Sequence, residues 1–265
     1  MVDLINIEVQ LFIVFIFGLV FGSFATAVAY RVPLNIGWVS GRSKCPSCQH
    51  ALGLLDLFPI ISWILLRGKC RYCKAKFGIG YPTAELLLAV MFVLVYWQFS
   101  FSLLSATLMF LALLIVIMTI IDFEHYIIPN MLNLLMFVVG GIYCVIIGTQ
   151  GLHFVLGPAV GLSIGYSLRL LMWVWKGKEG LGMGDVKFLA VVGMFLPLQF
   201  FPTFFFMAGM LGIAIALLWK AMGKGERFPF GPALGMAMFV CVIFPVIHYK
   251  WQDFVTSVTL NIIGV

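Results

Sequence analysis

The sequence predicts an all-α, polytopic integral membrane protein of about eight transmembrane helices, and three observations carry that prediction. Of 265 residues, 63% are hydrophobic and only 10% are charged, against about 45–50% apolar and about 25% charged in a soluble domain. The apolar residues fall in runs, and a membrane-crossing helix needs about 20 of them. The net charge of +6 is concentrated, because residues 31–80 hold eight of the sixteen Lys and Arg and one acid, Asp56. A soluble core has no room for so much apolar surface, so the bilayer is the natural solvent. A basic block beside spanning segments reads first as a topology signal and only second as a nucleic-acid or anionic-lipid surface.

The first run is 11–30. It follows Asp3 and Glu8 with no Lys or Arg before it, unlike the positive start of a cleaved signal peptide, so a retained helix is expected. Further runs lie near 84–98, 102–121, 128–148, 154–175, 186–198, 201–219 and 231–248. With the basic loop inside, alternation also places 122–127, 176–185 and 220–230 inside. The last two carry Lys176, Lys178, Lys220, Lys224 and Arg227, whereas the outer loops 99–101, 149–153 and 199–200 have no Lys or Arg. Lys250 alone falls outside. The positive-inside rule thus puts both termini outside and the loops with Asp122 and Asp185 at the cytoplasmic face. The run 52–66 is too short to span and contains Asp56 and Pro59, so it is expected to lie in the interface or within the loop. Three parts result: 1–30, a first helix; 31–83, a cytoplasmic four-cysteine domain; and 84–265, a seven-helix membrane domain. No internal repeat of 20–50 residues stands out.

The loop contains Cys45-Pro-Ser-Cys48 and Cys70-Arg-Tyr-Cys73. Two such pairs can close a tetrahedral four-thiolate zinc site, and nearby Lys and Arg favour the thiolates. Disulfides fit poorly with a cytoplasmic loop. Four thiolates leave no open position, so the zinc is expected to be structural. His50 is an alternative ligand. Cys144 and Cys241, inside apolar runs, read as packing residues.

Acids at membrane depth are costly and commonly functional. Asp122 ends the third run and Asp185 begins the sixth, in Gly182-Met183-Gly184-Asp185. Two carboxylates sharing a site do not both ionise easily. The charged one activates water and the protonated one donates to a scissile carbonyl. Gly182 and Gly184 are expected to permit φ > 0 and close backbone approach. Either aspartate alone also reads as a solvated helix-end cap. Arg169, inside the fifth run, is expected to snorkel to the interface, with pairing to an active-site aspartate as the alternative.

An ordered series of motifs resembles the type IV prepilin peptidases, membrane aspartyl proteases of the GxGD type. It comprises Gly22-Ser23-Phe24, Tyr30-Arg31-Val32-Pro33, the two cysteine pairs, Pro59-Ile60-Ile61-Ser62-Trp63, Arg67-Gly68-Lys69-Cys70, and Tyr81-Pro82-Thr83-Ala84-Glu85. The Asp122 segment, Gly182 to Lys187 and Phe230-Gly231-Pro232 complete it. The resemblance implies catalytic Asp122 and Asp185, with Gly182, Gly184, Glu124 and Lys187 as supporting loop residues. It implies cleavage of a prepilin or pseudopilin after the glycine ending its basic leader. It also implies N-methylation of the new first residue with S-adenosylmethionine, for which Gly68 is the matching residue. Members with four cysteines are typically bifunctional. The implied compartment is the bacterial inner membrane, and the implied partners are the prepilin and the lipid bilayer, with no nucleic acid.

Glu85 reads either as a helix N-terminal acid or as a contact of the methylation site. Glu124, Glu179 and Asp185 are expected to attract the leader's Lys and Arg. Two alternatives stand beside this reading. One is a peptidase without methylation; the other is a transporter or channel with intramembrane acids on an ion path, which predicts acids near the bilayer midplane.

Overall fold

The computed structural model describes residues 6–34, 36–37, 42–149, 151, 153–177, 180–225 and 227–245. Among them the regular structure is helical: α1 (Ile7–Arg31), α2 (Ile61–Leu65), α3 (Gly80–Phe99), α4 (Leu103–His125), α5 (Asn130–Ile147), α6 (His153–Lys176), α7 (Met183–Phe195), α8 (Phe201–Ala221) and α9 (Gly231–Ile243). Six helical stretches are long and apolar enough to cross a membrane: α1, α3, α4, α5, α6 and Leu198–Ala221, which includes α8. Phe12, Phe17, Trp97, Trp175 and Leu217 expose large apolar side chains, as a bilayer-solvated surface does.

The other two expected spans are shorter. α7 and α9 have 13 residues each, about 20 Å at a rise of 1.5 Å per residue, against about 30 Å of hydrocarbon. α7 stops because Pro197 disfavours helical backbone at the residue before it, and Leu196 is extended at φ −112°, ψ 128°. The run expected to reach residue 248 passes beyond the described 245. Within 52–66 there are only a 3₁₀ turn at Leu54–Asp56 and the five-residue α2, neither long enough to cross a membrane.

The chain forms two compact units, Met1–Glu124 and His125–Val265. In the first, α1 packs on α3 through small residues. A Cβ on Gly18 would sit 2.4 Å from the Ala89 Cα, and one on Gly22 would sit 2.5 Å from the Glu85 Cα. This is the small-xxx-small contact that lets backbones approach in membranes. The Tyr96 hydroxyl hydrogen-bonds the Gln10 side chain between the same two helices. α4 is the most buried of the six long stretches.

In the second unit α7 is the packing centre. A Cβ on Gly157 would lie 2.0 Å from the Gly193 carbonyl oxygen, and one on Gly161 would lie 2.1 Å from that of Leu189. Gly165 packs on Val186. Three glycines one helical turn apart therefore seat α6 on the α7 backbone. From α5, Gly140 packs on Met194 and Phe195, and the Cys144 thiol donates to the Met194 carbonyl at 3.0 Å. Cys144 and Cys241 are buried, as packing residues should be. α9 starts with Pro232 in its first turn, where a missing N–H costs nothing.

Candidate active site and metal centre

Asp185 sits in the first turn of α7. Its Oδ2 accepts the Gly182 N–H at 3.2 Å, so it caps its own helix. Gly182 has φ −63°, and neither it nor Gly184 is among the positive-φ glycines. Left-handed backbone is therefore not why they are glycine. Gly184 is glycine because a Cβ would meet the Ile128 Cβ at 2.9 Å. Gly182 has its own tight neighbour, since a Cβ there would lie 3.0 Å from the Asp185 Oδ2.

Three further contacts hold this turn. The Asn133 side-chain amide donates to the Gly184 carbonyl at 3.1 Å, and Asn133 is only 5% exposed. The Lys187 Nζ donates to Asn130 Oδ1 at 2.7 Å. Arg169 Nη1 donates to the Leu181 carbonyl at 3.2 Å, so its guanidinium meets the loop before α7 instead of simply running to the interface. Ile128, Asn130 and Asn133 belong to the segment that follows Asp122 in the chain. Sequence reading missed Asn133. Its signal is a polar residue on an otherwise apolar helix.

In the first unit, Asp122 lies in the last turn of α4 and is 5% exposed. Glu124 is exposed. Glu179, the other acid expected to attract a basic leader, lies outside the described residues.

The four loop cysteines converge. Their sulfurs all lie within 4.8 Å of one another, and the Cys45 and Cys73 sulfurs are 3.8 Å apart. A tetrahedron with metal–sulfur bonds near 2.3 Å has edges of about 3.8 Å, so the set fits a metal ion held by four thiolates. The two knuckles repeat one hairpin. Cys45 N–H donates to the His50 carbonyl at 3.0 Å, as Cys70 N–H does to Ala75 at 2.8 Å. Lys44 bridges Ala51, as Lys69 bridges Lys76. Gln49 and Lys74, each just after the second cysteine, have φ of 58° and 61°. Each hairpin spans only eight residues, 44–51 and 69–76, far below the 20–50 residues of a repeat architecture. His50 stays out of the sulfur cluster, and its ring stacks on Tyr72 at 3.7 Å.

Burial works against ionising Cys45, but the backbone N–H groups of Cys48 and Ser47 outweigh it and lower its pKa to about 7. At Cys73 the Ala75 N–H favours the thiolate, while desolvation and the thiols of Cys48, Cys70 and Cys45 prevail and raise it to about 11. Four close sulfurs resist accumulating charge, and a dication relieves that resistance.

A cavity of about 420 Å³ lies between α1, the knuckles, α2 and the start of α3. Glu85 and Trp63 line it, with Tyr30 and Tyr81. Gly68 stands behind Trp63: it has φ 65°, and a Cβ there would come within 3.0 Å of the indole. Its N–H donates to the Trp63 carbonyl at 2.8 Å. Glu85 thus lines the cavity directly, whereas Gly68 only backs the Trp63 ring and is not itself a lining residue.

Six helical stretches long and apolar enough to cross a membrane, with a four-cysteine cluster between the first two of them, define a polytopic membrane protein with a cysteine module. The chain matches the Bacterial Peptidase A24 N-terminal domain over residues 16–99 and the Type IV leader peptidase family over residues 107–217. A Neisseria gonorrhoeae protein named prepilin leader peptidase/N-methyltransferase is 33% identical over 253 residues, 85% of this chain and 87% of that one. Proteins of the same name from Stutzerimonas stutzeri and Bacillus subtilis (strain 168) are each 31% identical. The first covers 91% of both chains, and the second covers 89% of this chain and 94% of its own length. No solved structure matches. The chain belongs to the type IV leader peptidase family.

Proposed function

We propose that this chain is a bifunctional membrane enzyme: an aspartyl endopeptidase that removes the leader of type IV prepilins or pseudopilins, and an N-methyltransferase acting on the new N-terminus. One observation carries the choice of Asp122 and Asp185. The turn bearing Asp185 is clamped by Ile128, Asn130 and Asn133, the segment that begins six residues after Asp122. An acid kept 5% exposed at a helix end makes a poor solvated cap, which favours a chemical role for Asp122.

In the proposed reaction one aspartate is ionised and takes a proton from water. The oxygen attacks the carbonyl carbon of the leader's last glycine, while the other aspartate, protonated, donates to the carbonyl oxygen. The C–N bond then breaks and the amine leaves with a proton from the dyad. Glu124 and Glu179 draw the basic leader, and Lys187 and Arg169 hold the loop. The face is cytoplasmic, the termini are outside, and the membrane is the bacterial inner membrane, as the distribution of Lys and Arg supports.

The cysteine module holds zinc through Cys45, Cys48, Cys70 and Cys73. Its role is structural, since four thiolates close the coordination shell. The organisation 1–30, 31–83 and 84–265 is proposed to divide the labour between methyl transfer in the loop and proteolysis in the membrane domain. S-adenosylmethionine supplies an electrophilic methyl group when bound, and Gly68 and Glu85 are proposed to shape the methylation site. The test is incubation of the purified full-length protein with a prepilin, read by mass of the mature N-terminus. Loss of the leader and a gain of one methyl group is the expected result. Leader loss with no methyl gain would leave a peptidase alone.

A further inference from the structure

We infer that the cavity of the first unit is the place of methyl transfer, with Glu85 binding the ammonium of the newly exposed N-terminus. The inference rests on the methylation reading above and adds which groups bind which partner.

The starting observation is a buried carboxylate without a cation. Glu85 is 7% exposed and lines the cavity. Its hydrogen-bond partners are neutral: the Ile60 N–H donates to Oε2 at 2.7 Å, and Ser23 hydrogen-bonds the carboxylate. The other acid of the cavity, Asp56, already has its cation, because the Arg71 Nε lies 2.7 Å from it. A buried charge demands pairing. Among the described residues none pairs with Glu85, so the cavity has a place for a ligand cation.

A second observation marks the same point as built. Ile60 has φ 58° and ψ −51°, and the Ile61 N–H donates to the Pro59 carbonyl at 2.5 Å. This is the rare three-residue turn with positive φ, an outlier for a β-branched residue. Glu85 holds it. Strain of this kind persists where the surroundings over-determine it, commonly at binding sites.

The remaining walls sort the ligands. Tyr30, Trp63 and Tyr81 contribute rings. A sulfonium has no N–H to donate, so an aromatic face is its natural partner. An ammonium has three donors and suits a carboxylate. Arg42 and Lys44 also line the cavity and suit the carboxylate of an amino-acid-derived donor. They are the wrong charge for a basic leader, which separates this cavity from the cleavage site. The volume of about 420 Å³ falls within the roughly 300–1,000 Å³ of small-molecule sites.

The transfer balances with these groups. Glu85 takes a proton from the terminal ammonium. The nitrogen lone pair then forms a bond to the sulfonium methyl carbon, the S–C bond breaks, and its electron pair stays on sulfur as a thioether. The product is a methylated ammonium.

The experiment uses full-length protein in detergent, checked for monodispersity and melting temperature. The acceptor is a synthetic peptide with the mature N-terminus. S-adenosylhomocysteine binding is followed by calorimetry. Glu85→Gln, which keeps an oxygen to accept the Ile60 N–H, is expected to lower kcat/KM for peptide methylation at least 100-fold while thioether affinity changes less than threefold. Trp63→Ala is expected to weaken S-adenosylmethionine binding, followed by the same calorimetry without peptide, at least tenfold. Methylation by Glu85→Gln within threefold of wild type, or unchanged donor affinity in Trp63→Ala, overturns the assignment of the cavity. Wild-type protein that cleaves prepilin yet binds no thioether overturns the methylation reading, and the cavity assignment with it.

Discussion

Asn133 and Gly68 show how much single residues do here. Asn133 holds the Gly184 carbonyl from another helix, and such a buried bond is worth about 1 kcal/mol net, with more lost when a polar group is orphaned. Its effect on catalysis is expected to be larger than that, because small misplacement of a reacting group is costly. Asn133→Ala is expected to lower kcat for leader cleavage roughly tenfold with KM within about twofold, the pattern of a positioning residue. Steady-state cleavage of a purified prepilin measures both. Gly68→Ala places a Cβ at positive φ against the Trp63 ring and is expected to reduce the methylated fraction at least about tenfold, by the strain such a residue carries. Mass of the mature N-terminus reads it. Some of this was legible in the residues. The spacing of Cys45, Cys48, Cys70 and Cys73 is a complete metal signal, because ligand geometry needs little beyond two local turns. Asn133 was not legible. Its partner is 51 residues away, and no periodicity encodes a long-range hydrogen bond. Gly184 was legible as a required glycine but for another reason than the observed one, because steric approach by Ile128 depends on a neighbour that the sequence does not place.

At the level of elements, glycine spacing decides which helices pack. Gly157, Gly161 and Gly165 let α6 touch the backbone of α7, and Gly18 and Gly22 do the same for α1 and α3. Gly161→Leu would place a branched side chain where even a Cβ is 2.1 Å from the Leu189 carbonyl oxygen. The expected cost is about 3 kcal/mol, read as a lowered melting temperature in detergent together with lost cleavage, since α7 carries Asp185. The apolar runs showed these helices because hydropathy sums over many residues. The ends of α7 were less legible. The run 186–198 passes through Leu196, whereas the helix ends at Phe195, because the proline rule is local and hydropathy is not. The module between α1 and α3 is the opposite case, with almost no regular structure among its described residues. Four thiolates on one metal would supply the missing core. Cys45→Ser is expected to take the zinc content from about one ion per chain to near none, as elemental analysis of purified protein would show.

Taken whole, the chain folds as two compact units, Met1–Glu124 and His125–Val265. The first unit carries a cysteine module and a cavity with a buried, cation-seeking glutamate. It also carries Asp122 on α4. The second carries the Gly-x-Gly-Asp turn at the head of a glycine-seated helix. Family membership covers both units. Charge supports a cytoplasmic working face, and a transporter reading loses ground because both acids lie at helix ends. The central claim is that Asp122 and Asp185 act as one dyad. Its most direct test is leader cleavage of a purified prepilin by full-length Asp122→Asn, Asp185→Asn and the double variant, each confirmed as inserted and monodisperse. Each single variant is predicted to lose at least about 1,000-fold in rate, with the double variant no slower, as groups that act as a unit behave. Cleavage within tenfold of wild type by either single variant would contradict the dyad.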